Sequence, residues 1–588
     1  MKLYKLSLAL FLGLGTMAMT SCEDKLDVTN PNEQTTGTFG FTSDDLEECV
    51  IAAYHDLRME GSTGRVGYTL DAVRGDEVWN ASQVWYMPFD DMDDPVTDEI
   101  SFWPWREYYY AINVCNFILS RTTGDNAQLS ESMKRIKGQA LFIRGFAYYN
   151  LVGYYKDVPL ITDYSTYSSL DGLYGANNTS DEVLDQAEKD LKEAMELLPN
   201  RQAGGEWAKG RATCGAAAGY YARTLMFRHK YSEALEVLKD IIGGTKYGKY
   251  KLMANYGDNF REGSAYENND ESLFEVQYLD YGTQGVDDEW TPVNVSPNAT
   301  QGHAVESNFA PGDFGGWADL SASPWLYNLF KEERTTAGKL DPRLYWTLGT
   351  YEKEWEGFEN GNVAYTKKIT ATDTLRTNNN YGGIPIAKWT NMRTGLYSSV
   401  ATGLRCGINL RMMRYSDVLL RAAECENEVN GPTEQAIKWI NEVRQRAGLA
   451  DLKLEDFNTK DKLFEQIANV ERPKEFGCEN GRGMDLIRWG FFYDNGRLDQ
   501  LKEHGTFYKS KTIDVKTPVT YAQTKTDPEH VKSSYDTYLP GHEFLPIFQT
   551  LLNNNPNLKG NSANDGIDNS TDFFGRGWTV HPVVDLSK

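Results

Sequence analysis

The chain has little from which to build a familiar enzyme or metal site. Its 588 residues include only seven histidines, scattered and without obvious partners. No GxSxG, HExxH or phosphate-loop run occurs, so the local signatures of serine hydrolases, zincins and nucleotide hydrolases are missing. The seven cysteines form no CxxC, and no histidine stands at zinc-finger spacing, which argues against a cysteine-built metal site. Positive charge is in deficit as well. Sixty basic side chains face 84 acidic ones, for a net charge of −24. Phosphate binding needs clustered Lys and Arg, so nucleic acid is excluded as a partner, as is general adsorption to anionic lipid. Beyond the N-terminal stretch there is no long apolar run of the kind that spans a bilayer. No cofactor and no metal are expected.

What is present is helical. From Arg411 the sequence RMMRYSDVLLRAAECENEVNG places Met412, Tyr415, Leu419 and Ala422 on one apolar stripe. Gly431-Pro432 ends that helix, and TEQAIKWINEVRQRAGL repeats the device with Ala436, Ile440, Val443 and Ala447. Gly448 stands where the second helix ends. A third segment carries Leu463, Ile467 and Val470 on one side and a ladder of charges on the other: Glu471, Arg472, Glu475, Glu479, Arg482, Asp485, Arg488. Glu471 and Glu475, four apart on a helix, could act as an acid–base pair or hold a metal. The alternation of carboxylates with arginines points instead to a network in which every charge is paired. Pro473 inside this segment costs on the order of 3 kcal/mol in a helix interior, so a kink, or a helix start near Glu471, is expected there.

These residues resemble the SusD/RagB family of surface nutrient-binding lipoproteins. The resemblance is carried by Arg414, Asp417, Leu420, Ala423-Glu424, Asn427-Glu428, Asn441, Arg444 and Arg446-Ala447-Gly448. It continues through Glu471-Arg472, Glu475-Phe476, Glu479, Gly481-Arg482 and Asp485 to Trp489. Elsewhere it rests on Trp105, Tyr109, Ile112 and Asn116, on Glu267 to Gln277, on Asp341-Pro342-Arg343, and on Phe544-Leu545-Pro546-Ile547. In the run Tyr155-Lys156-Asp157 the family usually has glycine where Lys156 stands, so that turn is expected to differ.

The N-terminus fits the same picture. Lys2 and Lys5 precede an apolar stretch, Leu6 to Met19, too short to span a bilayer and suited to a signal peptide over residues 1–21. Met19-Thr20-Ser21-Cys22 resembles a lipobox, which implies acylation at Cys22 and an outer-membrane lipid anchor. Residues 22–42 read as a lipidated tether. Residues 43–588 then form a single, mostly α domain, beginning with a helix capped by Ser43 or Asp44. A tetratricopeptide-like scaffold of helical hairpins occupies about 43–246 and 405–500. A loop-rich, short-stranded insert fills about 247–404, with strands such as Leu273–Tyr278 and Tyr365–Ile369. A polar C-terminal extension, 560–588, lies outside the resemblance. The six cysteines after Cys22 are expected to form no disulfide framework.

Candidate binding residues come from aromatics in non-helical texture. Sugar rings pack C–H faces on Trp and Tyr, and their hydroxyls need Asp, Asn, Gln or Arg. The long segment from Tyr68 to Trp105 lacks a helical period and reads as a functional loop. Within it, Trp85 and Tyr86 are candidates, with Asp76 and Asn80 as polar partners around Trp79, which is itself assigned to the core. In the insert, Trp290 beside Asp288, and Trp317 after Gly315-Gly316, complete the set. Trp105, Trp439 and Trp489 belong to helical motifs and to the scaffold. The acids Asp90 to Asp94 lack the spacing of a calcium loop and read as a solvated face. By resemblance, the chain captures a glycan or oligosaccharide and passes it to a SusC-like TonB-dependent transporter, without catalysis. A peptide ligand, as in RagB-type relatives, and a surface glycoside hydrolase remain as alternatives.

Overall fold

The computed structural model describes residues 40, 42–169, 172, 174–279, 302–350, 352–355, 383–393, 405–508, 520–560 and 576–587. Asp288, Trp290, Cys22 and the expected strand Tyr365–Ile369 lie outside these residues. The helix expected after Ser43 runs Ser43–Leu57. Two compact units are present, Met1–Glu48 and Cys49–Lys588; the second is described below.

Its scaffold is a stack of helices. α1 (Arg65–Val73) and strand β1 (Val78–Asn80) come first. They are followed by α2 (Trp103–Arg121), α3 (Glu131–Tyr155), α4 (Ser180–Leu197), α5 (Cys214–Phe227) and α6 (Tyr231–Gly243). Neighbours in sequence pack as neighbours in space: α2 on α3, α3 on α4, α4 on α5, α5 on α6. A second block starts with β4 (Leu410–Arg414), α9 (Tyr415–Asn430) and α10 (Glu434–Arg446), and α9 packs directly on α6. The two expected helical-hairpin copies are therefore consecutive in the stack although the insert separates them in sequence, as repeat stacking requires. α3 is more than a stripe: from Gly138 to Tyr155 every residue is buried, including Arg144, which forks onto Asp190 at 2.7 and 2.8 Å.

Between the helical blocks lie β2 (Ser272–Val276), β3 (Leu320–Ala322), α7 (Pro324–Lys331) and α8 (Pro342–Thr347). β2 pairs antiparallel with β4, which sets Arg414 opposite Ser272. The expected strand at Leu273 is present. Two expectations are corrected. The segment from Tyr68 to Trp105 is not mainly a loop, because it holds most of α1 as well as β1. α1 is only nine residues long, and the segment's start at Tyr68 cuts across its stripe of Val66, Leu70 and Val73. Within the insert expected to be loop-rich, the run from Phe309 to Trp325 contains β3 and the start of α7. Strands of three residues are too short for a two-residue period to register.

The ladder in the third helical segment resolves into α11 (Lys460–Gln466), a π-helical turn at Ile467–Glu471, α12 (Arg472–Phe476) and α13 (Arg482–Arg488). Pro473 falls in the first turn of α12, where its missing N–H is harmless, and the π turn ahead of it absorbs the break. Each charge in the ladder is paired. Glu471 takes Arg444; Glu475 takes Arg414, Arg446 and Arg343; Glu479 takes Arg414 and Lys388. Asp485 takes Arg421, Arg472 and Arg488, and Arg482 takes Asp76. The carboxylates are therefore structural. The six cysteines after Cys22 are buried, and none is joined in a disulfide among the described residues.

Lys156 ends α3 at φ 65, ψ −82, with Asp157 N–H donating to Tyr155 O at 2.9 Å. This is the strained γ-turn, which a side chain disfavours and glycine tolerates. Lys156→Gly should raise the unfolding free energy by about 1 kcal/mol, read by urea titration. A loss of stability would show that the turn carries no strain.

The described part of the C-terminal extension docks on the scaffold. Arg576 pairs with Asp181 at 2.9 Å, and Trp578 stacks on His229 at 3.8 Å. His581 stacks on Phe464 at 4.1 Å and holds Glu428 and Asp461 at 2.6 Å through its two ring nitrogens. Lys460 also reaches Glu428, and Arg497 donates to the carbonyls of His581 and Pro582. Both ring nitrogens face acceptors, so the imidazolium is the bound form. Burial alone would lower its pKa, but the hydrogen bonds and charges of Glu428 and Asp461 hold it above its ordinary value. With the folded pKa above the unfolded value of about 6.5, this contribution is complete below that pH and is lost as pH rises through the folded pKa. The stability gap between wild type and His581→Asn should therefore narrow as pH rises above about 6.5. A gap independent of pH would rule out the charged clasp.

Candidate functional site

The antiparallel pairing of β1 with β3 aligns Val78, Trp79 and Asn80 with Ala322, Ser321 and Leu320. The chain leaving β1 therefore emerges beside the chain entering β3, and Ala81 N–H donates to Asp319 O at 2.7 Å. On the first side, the Asn80 amide closes a turn onto the Gln83 backbone, donating to its carbonyl at 2.7 Å and accepting from its N–H at 3.0 Å. A short 3-10 turn, Val84–Tyr86, follows. It leaves Trp85 half-buried and sends Tyr86 inward, where the phenol oxygen accepts from Thr69 at 2.9 Å and Asn308 at 3.2 Å. Burial pushes the Tyr86 phenol up to about 12.

On the second side, Gly315 has φ 80 and Ala318 has φ 52. A Cβ on Gly316 would lie 1.9 Å from Ala310 O, so only glycine allows this close approach. The tight loop is fastened by Trp317 N–H to Ser307 O at 2.6 Å, and it leaves the Trp317 ring 36% exposed.

Arg65, from α1, lies between the two tryptophans. Its guanidinium carbon is 5.6 Å from the Trp85 ring centre and 5.4 Å from that of Trp317, within cation–π range. Glu60 stands 3.5 Å from Arg65 Nε. Asp319 accepts from Ser82 Oγ at 3.0 Å through Oδ1. Burial raises the carboxyls of Glu60 and Asp319, against the pull of the Arg65 charge. The arrangement is a pair of aromatic faces around a charged and hydroxylated floor, which suits a ring with C–H faces and hydroxyl edges.

The expected site residues thus separate. Trp85 and Trp317 come together although more than two hundred positions divide them in sequence. Tyr86 supports them from the core. Asn80 shapes the turn and spends its amide on it. Asp76 is a correction: it is 0% exposed, and both carboxylate oxygens are taken, by Arg482 at 2.7 and 2.8 Å and by His504 at 2.7 Å. Burial opposes its ionisation, but Arg482 and His504 hold the carboxyl well below the usual range. Trp79 is core as expected, stacked on Phe507 at 4.1 Å. The acids at Asp90 to Asp94 are not a uniformly solvated face. Asp90 is buried and receives Asn80 N–H and Ser534, and Asp94 pairs with Arg74 at 2.6 Å. Sequence reasoning missed Arg65, Glu60, Ser82, Gln83 and Asp319. Only Asp319 had a signal, as an acid two residues from Trp317.

A sequence profile described as the SusD family matches residues 270–565, half of the chain. The chain belongs to the SusD family. A second profile, described as starch-binding and associating with the outer membrane, matches residues 24–226. SusD-like protein P25 of Formosa agariphila is 25% identical over 509 residues, covering 81% of this chain and 88% of that protein. A SusD superfamily protein from Bacteroides vulgatus superposes with a TM-score of 0.68 at 24% identity, covering 90% of this chain and all of the other. Surface glycan-binding protein A from Bacteroides thetaiotaomicron, solved in complex with laminarihexaose, superposes with a TM-score of 0.64 at 21% identity, covering 88% of this chain and 99% of its own. The mostly helical scaffold with short strands is thus the SusD fold. The C-terminal segment at 576–587 lies beyond the SusD profile match.

Proposed function

We propose that this SusD-family chain is a glycan-binding lipoprotein, anchored through Cys22 and exposed at the cell surface, that holds an oligosaccharide between Trp85 and Trp317. The observation that carries the reading is the convergence of two tryptophans on Arg65, with Asp319 in the floor and Ser82 and Gln83 at the rim. Aromatic faces supply most of the affinity, and the polar floor orients hydroxyls. The laminarihexaose bound to the Bacteroides thetaiotaomicron relative supports a carbohydrate ligand for the shared fold. Trp290 and Asp288 remain part of the proposal as a further contribution from the insert. Capture requires no catalytic group, and the ladder acids are engaged in ion pairs. The bound glycan is then delivered to a SusC-like TonB-dependent transporter.

Calorimetric titration of residues 23–588 against a panel of polysaccharides tests the reading, with the glycan sized afterwards. Binding without chain shortening is expected. Shortening would make the protein an enzyme, and failure to bind any glycan would remove the proposal.

A further inference from the structure

We infer that the Trp85–Trp317 site selects neutral, hydroxyl-rich sugars and rejects acidic ones; this deepens the glycan reading above and rests on it. Among the described residues, the floor of the site holds Arg65 and two carboxylates, Glu60 and Asp319. Arg65 is 3.5 Å from Glu60 through Nε, and its charge also acts on Asp319. A third acid, Glu107, lies in electrostatic reach of Glu60. It is already served by Arg106 at 3.0 Å and by Ser62 N–H at 2.8 Å. Among the described residues the local balance at the floor is therefore negative, as is that of the whole chain at −24.

The carboxylates also have unused capacity. Glu60 Oε1 and Asp319 Oδ2 are both withdrawn from solvent, and neither has a hydrogen-bond partner. The second oxygen of Asp319 is engaged by Ser82, and that of Glu60 lies beside Arg65. A buried acceptor without a donor is costly, and a ligand that brings O–H donors removes that cost. Vicinal sugar hydroxyls are such donors. A uronate carboxylate or a sulfate ester has no proton to give at neutral pH, and it would place a further negative charge beside two existing ones. The same carboxylates that reward a hydroxyl therefore penalise an anion, which is how a site gains selectivity from repulsion as well as attraction.

The test uses residues 23–588 and matched hexasaccharides. The neutral probes are laminarihexaose, maltohexaose and cellohexaose; the acidic probes are hexagalacturonate and hexamannuronate. At least one neutral probe should bind, with an affinity that changes little between about 50 and 500 mM NaCl, because no net charge pair is formed. Neither acidic probe should bind. Asp319→Asn and Glu60→Gln should each weaken the neutral probe about tenfold or more, because a charge-assisted hydrogen bond is replaced by a weaker one. Circular dichroism and the unfolding midpoint show whether each variant is folded, and Asp319→Asn stands if Glu60→Gln is not. Salt-sensitive binding of an acidic probe would overturn the inference while leaving glycan capture in place. Unchanged neutral binding in Asp319→Asn would also overturn it. If no probe of either class binds, the glycan reading fails and takes this inference with it.

Discussion

Arg414→Ala should destabilise the protein by about 3–5 kcal/mol, because it leaves buried carboxylates without their shared counter-ion. Arg414 is 1% exposed at the end of β4. Its guanidinium meets Glu271 at 2.6 Å, Glu475 at 2.9 Å and Glu479 at 2.7 Å. Burial disfavours charge on all of these groups. The arginines win: Glu475 is held far below the ordinary carboxylate range by Arg446, Arg414 and Arg343 despite its burial. Lysine at position 414 would keep the charge but could not fork onto three acids, so Arg414→Lys should recover only part of the loss. The acid limb has a defined sign. A carboxylate whose folded pKa is depressed adds stability above its unfolded value, near 4.3, and that stability is lost as pH falls through the folded pKa. Urea unfolding of wild type and Arg414→Ala at neutral and at acid pH checks both statements. A variant within 1 kcal/mol of wild type would mean the network is not what joins the insert to the second helical block.

The second large effect concerns binding. Trp317→Ala and Trp85→Ala should each weaken the captured glycan by about 2 kcal/mol, roughly thirtyfold, the scale of an aromatic anchor at the centre of a site. Neither should alter the unfolding midpoint much, since Trp317 is 36% exposed and Trp85 is half-buried. Trp79→Ala should behave in the opposite way. That ring is 3% exposed and stacked on Phe507, so its loss should cost about 3–5 kcal/mol of stability through a cavity. Calorimetry and denaturant titration on the three variants separate the roles. Equal binding by wild type and Trp317→Ala would remove that ring from the site.

Much of the scaffold was legible before any coordinates. The stripe from Ala436 marks a helix because one face meets the core and the other meets water. The stripe read from Met412 holds only from Tyr415, since Met412 lies in β4 and α9 starts after it, buried on every face as far as Asn427. The ladder from Glu471 to Arg488 was legible as a paired network, because so many charges of alternating sign can be buried only together. The failures have separate causes. α1 is short, and its stripe of Val66, Leu70 and Val73 straddles the start of the segment read as a loop. Asp76 sits beside a tryptophan like a sugar ligand, yet Arg482, some four hundred positions away, claims it.

By itself, then, the sequence determined the helical class, the family and the aromatic residue types from which the proposed site is made. Local periodicity and local motifs are enough for those, since they depend on neighbours within a few residues. Which tryptophans share a surface was decided only by the tertiary structure. Three backbone pairs between β1 and β3 bring Trp85 to Trp317, and α1 sets Arg65 between them. A pairing that short leaves almost no trace in sequence pattern, because its register is selected by the surrounding core and not by the residues that it joins.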